Sequence, residues 1–398
     1  MANVANSYSD LLPRLFAAGI VVLRANSVLP RLVANYSDEV AASRGSTINI
    51  PIQPTVATRA VAPDATAADP GAQTWSTTAL VLSDWREAPF VLSDKEAGEV
   101  LEGAIPRCVK SAVIALADYV DAQGMALYTS IYNTGAPDNF GGGSTLLPSA
   151  FVVDATKNPT AFRAVAEAGV LLDQGGASPT GRVVVLSPKD NWDASFQSPF
   201  LKTMERGDTA GVQDRNIGHK IGMDWWMDQG VPTQTAGTVG TTAAQTLTCP
   251  TANVGDTAIT FVGTITTALT LKVGDVFKFS NHNQTYVNNT LVTSTTNSLA
   301  VTSFSPGLKV GVTSANSASV LPSHKVNLMF YPDAFGFASR PLQSIGSGNY
   351  ISMSDPISGL TLRLEVTRQN KRDLFSFDIL HGWKLVEARL AARVASSI

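Results

Sequence analysis

From residue 231 to residue 325 the chain contains neither Glu nor Arg, and Thr, Ser, Val and Asn dominate. Short β-branched and aromatic runs recur there: Ala258–Val262, Leu269–Val273, Val276–Phe279, Thr285–Val287, Leu291–Thr293 and Leu299–Val301, parted by Gly, Asn, Asp and Ser. Runs this short between turn formers are strands, and their repetition is the signature of a sandwich or barrel. The composition changes sharply at about residue 231, so the stretch reads as an independent all-β insertion in a chain of mixed class.

Outside it the pattern is α+β. Residues 46–51 and 77–92 read as strands, while residues 52–76 are rich in Ala, Thr and Pro and too poor in bulky apolar side chains to build a core. Together they predict a long projecting hairpin. Ser93 and Glu96 match a capping box, and apolar residues at helical spacing from Val100 to Val120 predict a long helix over about 94–131, with Pro106 as a break or kink. A helix over 160–173 stops at Gly175-Gly176, a buried strand follows at Arg182–Leu186, a second helix lies around 190–205, and strand-like residues lead to Trp225-Trp226. Near the end, Leu360, Leu362, Leu364 and Val366 alternate with polar residues, and Phe375, Phe377 and Ile379 do the same after a polar turn. The pair reads as an antiparallel hairpin with one buried face.

Bulk numbers narrow the function. Charged residues make up 15% of the 398, against about 25% in an average soluble protein. Such a chain fits one that hides surface in contacts with copies of itself, and it equally fits a β-rich monomer. Its net charge of −3 offers no basic footprint for gripping nucleic acid. The two cysteines, Cys108 and Cys249, form no disulfide framework or zinc site and suit a reducing compartment. Leu15–Leu23 is apolar, yet Asp10 and a single Arg14 precede it, and Arg14, Arg24 and Arg31 interrupt any membrane-length run. Residues 10–33 are therefore read as an amphipathic arm that needs a partner surface, with a secretion signal as the other reading.

Motifs that carry chemistry are missing. There is no phosphate loop, zinc helix or nucleophile elbow. Gly176-Ala177-Ser178-Pro179-Thr180-Gly181 has the wrong spacing for an elbow and suits a turn. Gly346-Ser347-Gly348 lacks the lysine and helix start that phosphate binding needs. His219, His282, His324 and His381 show no metal-ligand spacing, and the carboxylates are scattered. Cys108, on the long helix, reads as a small buried hydrophobe. Trp85, Trp225, Trp226 and Trp383 are open between core and interface anchors. No catalytic residue, cofactor or metal is expected.

The order of elements, from arm and hairpin through long helix and interrupted α/β region to closing hairpin, resembles the Hong Kong 97-type capsid fold of tailed phages. Three early segments, Leu29–Val33, Tyr36–Val40 and Gly45–Pro51, look like the N-terminal signature of one branch, the short-tailed-phage coat proteins with an inserted β-barrel. Leu271–Phe279 looks like a strand turn of that barrel, and Asn327–Phe335 like the return to the main domain.

The resemblance implies an N-terminal arm (1–44), an extended loop (45–92), a peripheral domain with spine helix (93–158), an axial domain (159–230 and 326–354), the inserted all-β domain (231–325) and a peripheral β-sheet (355–398). It further implies a non-enzymatic major coat protein that forms hexamers and pentamers of an icosahedral head. Scaffolding protein, portal and enclosed double-stranded DNA would be its partners, with no membrane, in a virion built in the host cytoplasm. Candidate assembly contacts are Arg24, Arg31, Arg59, Trp75, Trp85 and Arg86, and Pro106 is a candidate hinge.

Two departures stand out. No lysine precedes Lys95, so the loop cannot supply the covalent lock that some relatives use, and residues 231–250 lack the acids of a bridge across a two-fold. The rival readings are an encapsulin-like cargo compartment, a secreted β-rich adhesin or glycan-binding protein, and a hydrolase using Cys108 or Ser178.

Overall fold

The computed structural model describes residues 8–37, 47–54, 56, 58, 75–93, 104–137, 147–152, 162–197, 200, 217–241, 247–262, 268–295, 297–342 and 349–398. The main elements in chain order are α1 (Tyr8–Asn26), β1 (Thr47–Ile52), β2 (Ser76–Val81), β3 (Asp84–Ser93), α2 (Ala104–Met125), α3 (Arg163–Gln174), β4 (Arg182–Leu186) and α4 (Pro188–Ser195). They continue with β5 (Met223–Met227), β6 (Ile259–Val262), β7 (Val276–Phe279), β8 (Thr285–Asn288), β9 (Ser298–Val301), β10 (Ser317–Val320) and β11 (His324–Phe330). The last are β12 (Phe335–Arg340), β13 (Asn349–Ser354), β14 (Thr361–Gln369), β15 (Arg372–Leu385) and β16 (Ala391–Ser396). Contacts divide the chain into two compact units, one of residues 1–20, 35–112 and 336–386, the other of residues 21–34, 113–335 and 387–398.

The first unit is built on an antiparallel sheet. β15 is flanked by β3 on one side and by β14 on the other, β14 carries β13, and β12 extends the sheet to the short strand Ala34–Asn35. β14 and β15 form the expected hairpin. Its two-residue turn, Asn370-Lys371, takes positive φ at both positions, as strand twist demands of a tight hairpin. One expectation is corrected: β14 does not keep a solvent face along its length, because Thr361 and Arg363 are buried as well as Leu362 and Leu364.

β1 and β2 pair from Thr47↔Val81 to Ile52↔Ser76. Ile48, Ile50, Leu80 and Leu82 alternate onto one face and pack with Ala338, Tyr36 and Val386. The two strands flanking the poor stretch 52–76 thus carry apolar surface of their own, and the expected hairpin does not project from its base. Its base is anchored in its own unit. Gly382 makes this packing possible, since a Cβ there would lie 2.3 Å from the Val81 carbonyl oxygen. The tip, 59–74, lies outside the described residues, as do Glu96 of the expected capping box and Gly346-Ser347-Gly348.

Among the described residues the second unit holds two large sheets and a small pair, Thr270–Leu271 with Val292–Thr293. In the first, β4 lies between parallel β5 and antiparallel β11, and β16 pairs with β11. All five residues of β4 are buried, which fits its unbroken apolar run. α3 ends as expected: the Gly176 N–H donates to Asp173 and the Ala177 N–H to Leu172, while Gly176 takes φ +78°. The second sheet has seven strands in the order β9, β6, Leu247–Thr248, β10, β7, β8, Phe304–Ser305. Its core gathers Phe261, Phe277, Phe279, Tyr286 and Phe304 with Leu271, Leu299 and Val312.

Three further boundaries differ from expectation. The described part of the long helix covers Ala104–Met125 and passes into a 3-10 turn over Ala126–Ser130. Residues 336–354 supply β13 and most of β12 to the first unit's sheet, and β16 at the chain end joins the second unit's sheet rather than the closing hairpin. Strand pairing, which composition does not encode, decided both. Finally, the arm is not left waiting for a partner: Phe16, Ile20, Leu23, Leu29 and Val33 are buried in the chain itself.

Candidate functional site

In the first unit the alternation of β3 sets Trp85 opposite Leu380 and Arg86 opposite Ile379. Trp85 is 60% exposed, yet its Nε1–H donates to Asp378 Oδ2 at 3.0 Å. Arg363 sits beneath it, with Cζ 5.9 Å from the ring centroid. Its Nε donates to Asp378 Oδ1 at 2.9 Å, and its Nη2 donates to Oδ2. The hydrogen bond to Asp378 raises the Arg363 pKa. An exposed indole thus caps a buried ion pair and is held in one orientation. Arg86 is exposed and reaches Asp84 at 3.1 Å. Trp75 is 61% exposed. Arg59 lies outside the described residues. His381 is fully buried with Nε2 3.7 Å from Asp84 Oδ2, and burial lowers its pKa to about 4.

The remaining expected contacts belong to the arm. Arg24 is half-buried in the last turn of α1. Arg31, also half-buried, places Cζ 5.9 Å from the Trp226 ring. The arm is pinned by a residue that carried no signal in the sequence. Asp121 of α2 accepts from the Val28 N–H at 2.8 Å and the Leu29 N–H at 3.3 Å. Burial pushes its carboxyl up to about 8; Asp228 and Asp118 add to the rise, and the two N–H donors oppose it. Pro106 falls in the first turn of the described helix.

Within the second unit a buried network ties the seven-stranded sheet to its neighbours. Arg393 of β16 is completely buried, and its Nη1 donates to the Gly274 carbonyl at 2.7 Å. Its guanidinium lies 5.2 Å from the Tyr128 ring centroid. The Tyr128 hydroxyl donates to Gln234 Oε1 at 2.7 Å, and Gln234 Nε2 donates to Asp275 Oδ1 at 2.8 Å. Asp275 also accepts from the backbone of Gly237 and Lys272. Burial lowers the Arg393 pKa to about 9 and raises that of Asp275. Four segments distant in sequence thereby share one set of hydrogen bonds.

The four tryptophans left open resolve individually. Trp225 is buried among Phe151, Phe162 and Phe200, and half-buried Trp383 lies tilted against Phe337 with ring centroids 4.6 Å apart. Trp226 and Trp85 are exposed. As for nucleophiles, Cys108 is half-buried on α2, and Ser178 Oγ lies 3.2 Å from Thr180 Oγ1 in the turn before β4. Among the described residues no group of three His, Cys, Asp or Glu could hold a metal ion, and no helix is long and apolar enough to cross a membrane.

No family model matches the sequence, and no curated protein matches it. Solved structures do. The capsid structure of the cyanophage P-SCSP1u is similar over 93% of this chain and 88% of its own, with TM-score 0.52 and 11% identity. A structure of Mycobacterium phage Che8 covers 92% of this chain and 90% of its own, with TM-score 0.48 and 15% identity. The capsid of Ralstonia phage GP4 covers 93% and 91%, with TM-score 0.47 and 8% identity. This chain has the α+β fold of a phage capsid protein.

Proposed function

We propose that the chain is the major coat protein of a tailed bacteriophage, a structural subunit and not an enzyme. Copies of it would form hexamers and pentamers of an icosahedral head that encloses double-stranded DNA. The similarity to the cyanophage capsid structure over nearly the full length of both chains carries this reading.

In the Hong Kong 97-type scheme, α1 and the turn after it serve as the arm, the β1–β2 hairpin as the base of the extended loop and α2 as the spine. The β3–β15–β14 sheet is the peripheral domain, the β4–β11 sheet the axial domain, and the seven-stranded sheet the insert. Identical subunits close a shell only through heterologous contacts repeated around rings. Trp75 and Trp85 are the side chains we assign first to those contacts, since both are more than half exposed and large aromatics dominate interface energies. Many modest contacts then act together. Pro106 is our candidate hinge for shell expansion, and normal expansion of a Pro106→Ala shell would count against it. Scaffolding protein and portal are the partners we expect during assembly in the host cytoplasm. With no lysine before Lys95, the shell is held by noncovalent contacts, so boiled particles should run as single subunits on a denaturing gel.

Electron microscopy of the expressed protein, with and without a co-expressed scaffold, tests the whole reading. Closed icosahedral shells are expected. A protein that stays monomeric under both conditions, or shells filled with enzyme cargo and no DNA during infection, would overturn it.

A further inference from the structure

Two cavities of about 450 and 510 Å³ lie side by side between α3 and the turn joining β7 to β8. They share Leu171, Gln174 and Asn283 and so form two halves of one groove within the second unit. Its electrostatics run against those of the chain, whose net charge is −3. Among the described residues four cations line it, Arg163, Lys278, Lys309 and Arg389, against one carboxylate, Glu167.

The two arginines are matched inside the chain, Arg163 to Glu167 at 3.1 Å and Arg389 to Glu387 at 2.8 Å. Lys309 is exposed, with no side-chain partner among the described residues. The amides of Gln174, Asn281 and Asn283 are exposed and unpaired in the same sense. Val170, 53% exposed, and Leu171 add an apolar strip.

We propose that this groove binds an extended acidic peptide segment of a partner protein. The Lys309 ammonium takes a carboxylate, the Gln and Asn amides take its backbone, and Val170 takes an apolar side chain. Nucleic acid fits less well. A single-strand site stacks bases on several aromatic faces, and the rings lining this groove among the described residues are Tyr132 and His282, the latter buried. The guanidinium forks best suited to phosphate are already engaged by Glu167 and Glu387. Described residues of a single chain line both halves of the groove, so the proposal does not depend on shell formation.

A fluorescein-labelled decaglutamate peptide, titrated against the full chain at low salt and read by fluorescence anisotropy, tests it. Saturable binding is expected, weakened about tenfold by Lys309→Glu and restored by Lys309→Arg. Lys384→Glu, an exposed lysine of the other unit, should leave it unchanged. Lys309→Glu removes no side-chain hydrogen bond or ion pair among the described residues, and circular dichroism checks that it folds. Three outcomes would overturn the proposal: unchanged affinity in Lys309→Glu, tighter binding of a labelled decathymidylate than of the peptide, or self-association of the peptide-free protein that Lys309→Glu abolishes.

Discussion

Arg363 and Asp378 face each other across β14 and β15 as a directly paired couple and form a two-pronged ion pair, Nε to Oδ1 at 2.9 Å and Nη2 to Oδ2. Both side chains are buried in the sheet of the first unit. Removing one partner would strand the other charge away from water, at a cost of about 3–5 kcal/mol. Arg363→Ala should therefore lower the urea midpoint strongly. Trp85→Ala leaves the pair in place and loses one hydrogen bond and the cation–π contact, a cost of about 1–2 kcal/mol. If Trp85 also joins copies, shell yield at equal folded concentration should fall well beyond that. Full yield from the folded variant would remove Trp85 from the contacts.

Asp121 gives the arm a pH limit. Its folded pKa, about 8, lies above the ordinary carboxyl value, so folding retains a proton. The stability it contributes is complete below the unfolded value and is lost as pH rises through about 8. Amide exchange at Val28 and Leu29, corrected for intrinsic rates, should quicken progressively from about pH 4 and level off above about pH 8. Asp121→Asn keeps an acceptor oxygen and cannot ionise, so its protection should stay flat. Asp121→Ala removes the acceptor and should speed exchange about tenfold at every pH. A wild type whose corrected exchange stays flat between about pH 4 and 8 would sink this account.

The buried histidines act in the opposite direction. His324 and His381 are both fully buried with pKa values of about 4, lowered chiefly by burial. Nδ1 of His324 lies 2.7 Å from the Pro322 carbonyl and donates to it. Each ring is neutral when folded and takes up a proton on unfolding below about pH 6.5. Stability is thus lost as pH falls from 6.5 toward 4, by about 3 kcal/mol per ring at the acid end. His324→Asn and His381→Asn should each flatten the acid limb of a plot of unfolding free energy against pH. An unchanged slope in both would show that the rings are protonated when folded.

Gly382 is where β2 crosses β15. An added Cβ would sit 2.3 Å from the Val81 carbonyl oxygen, a backbone atom that moves only with its strand. Gly382→Ala should cost about 2 kcal/mol or more. Amide exchange in Thr47–Val81 should rise while that of the seven-stranded sheet stays constant. A variant with the wild-type melting temperature would contradict the packing described.

Local pattern carried much of this fold. The strands of the 231–325 stretch were readable because β-branched runs and turn residues alternate on a scale of a few residues. The stop of α3 was readable from Gly175-Gly176, and the β14–β15 hairpin from its period-2 alternation. Each depends on neighbours in sequence. Trp85 was flagged by type, and only the structure showed that it is exposed and tied to Asp378. Arg363, Asp121 and Arg393 carried no signal. Arg363 stood on what looked like the solvent face of its strand, and the groove-forming Lys309 and Gln174 lie far apart in the chain. The Gly274 carbonyl that Arg393 needs is 119 positions away. Composition and period fix which residues are apolar and which segments are strands or helices. Whether a charged residue ends in water, in a buried pair or on a groove wall depends on which distant segments are stacked above it, and strand order alone settles that.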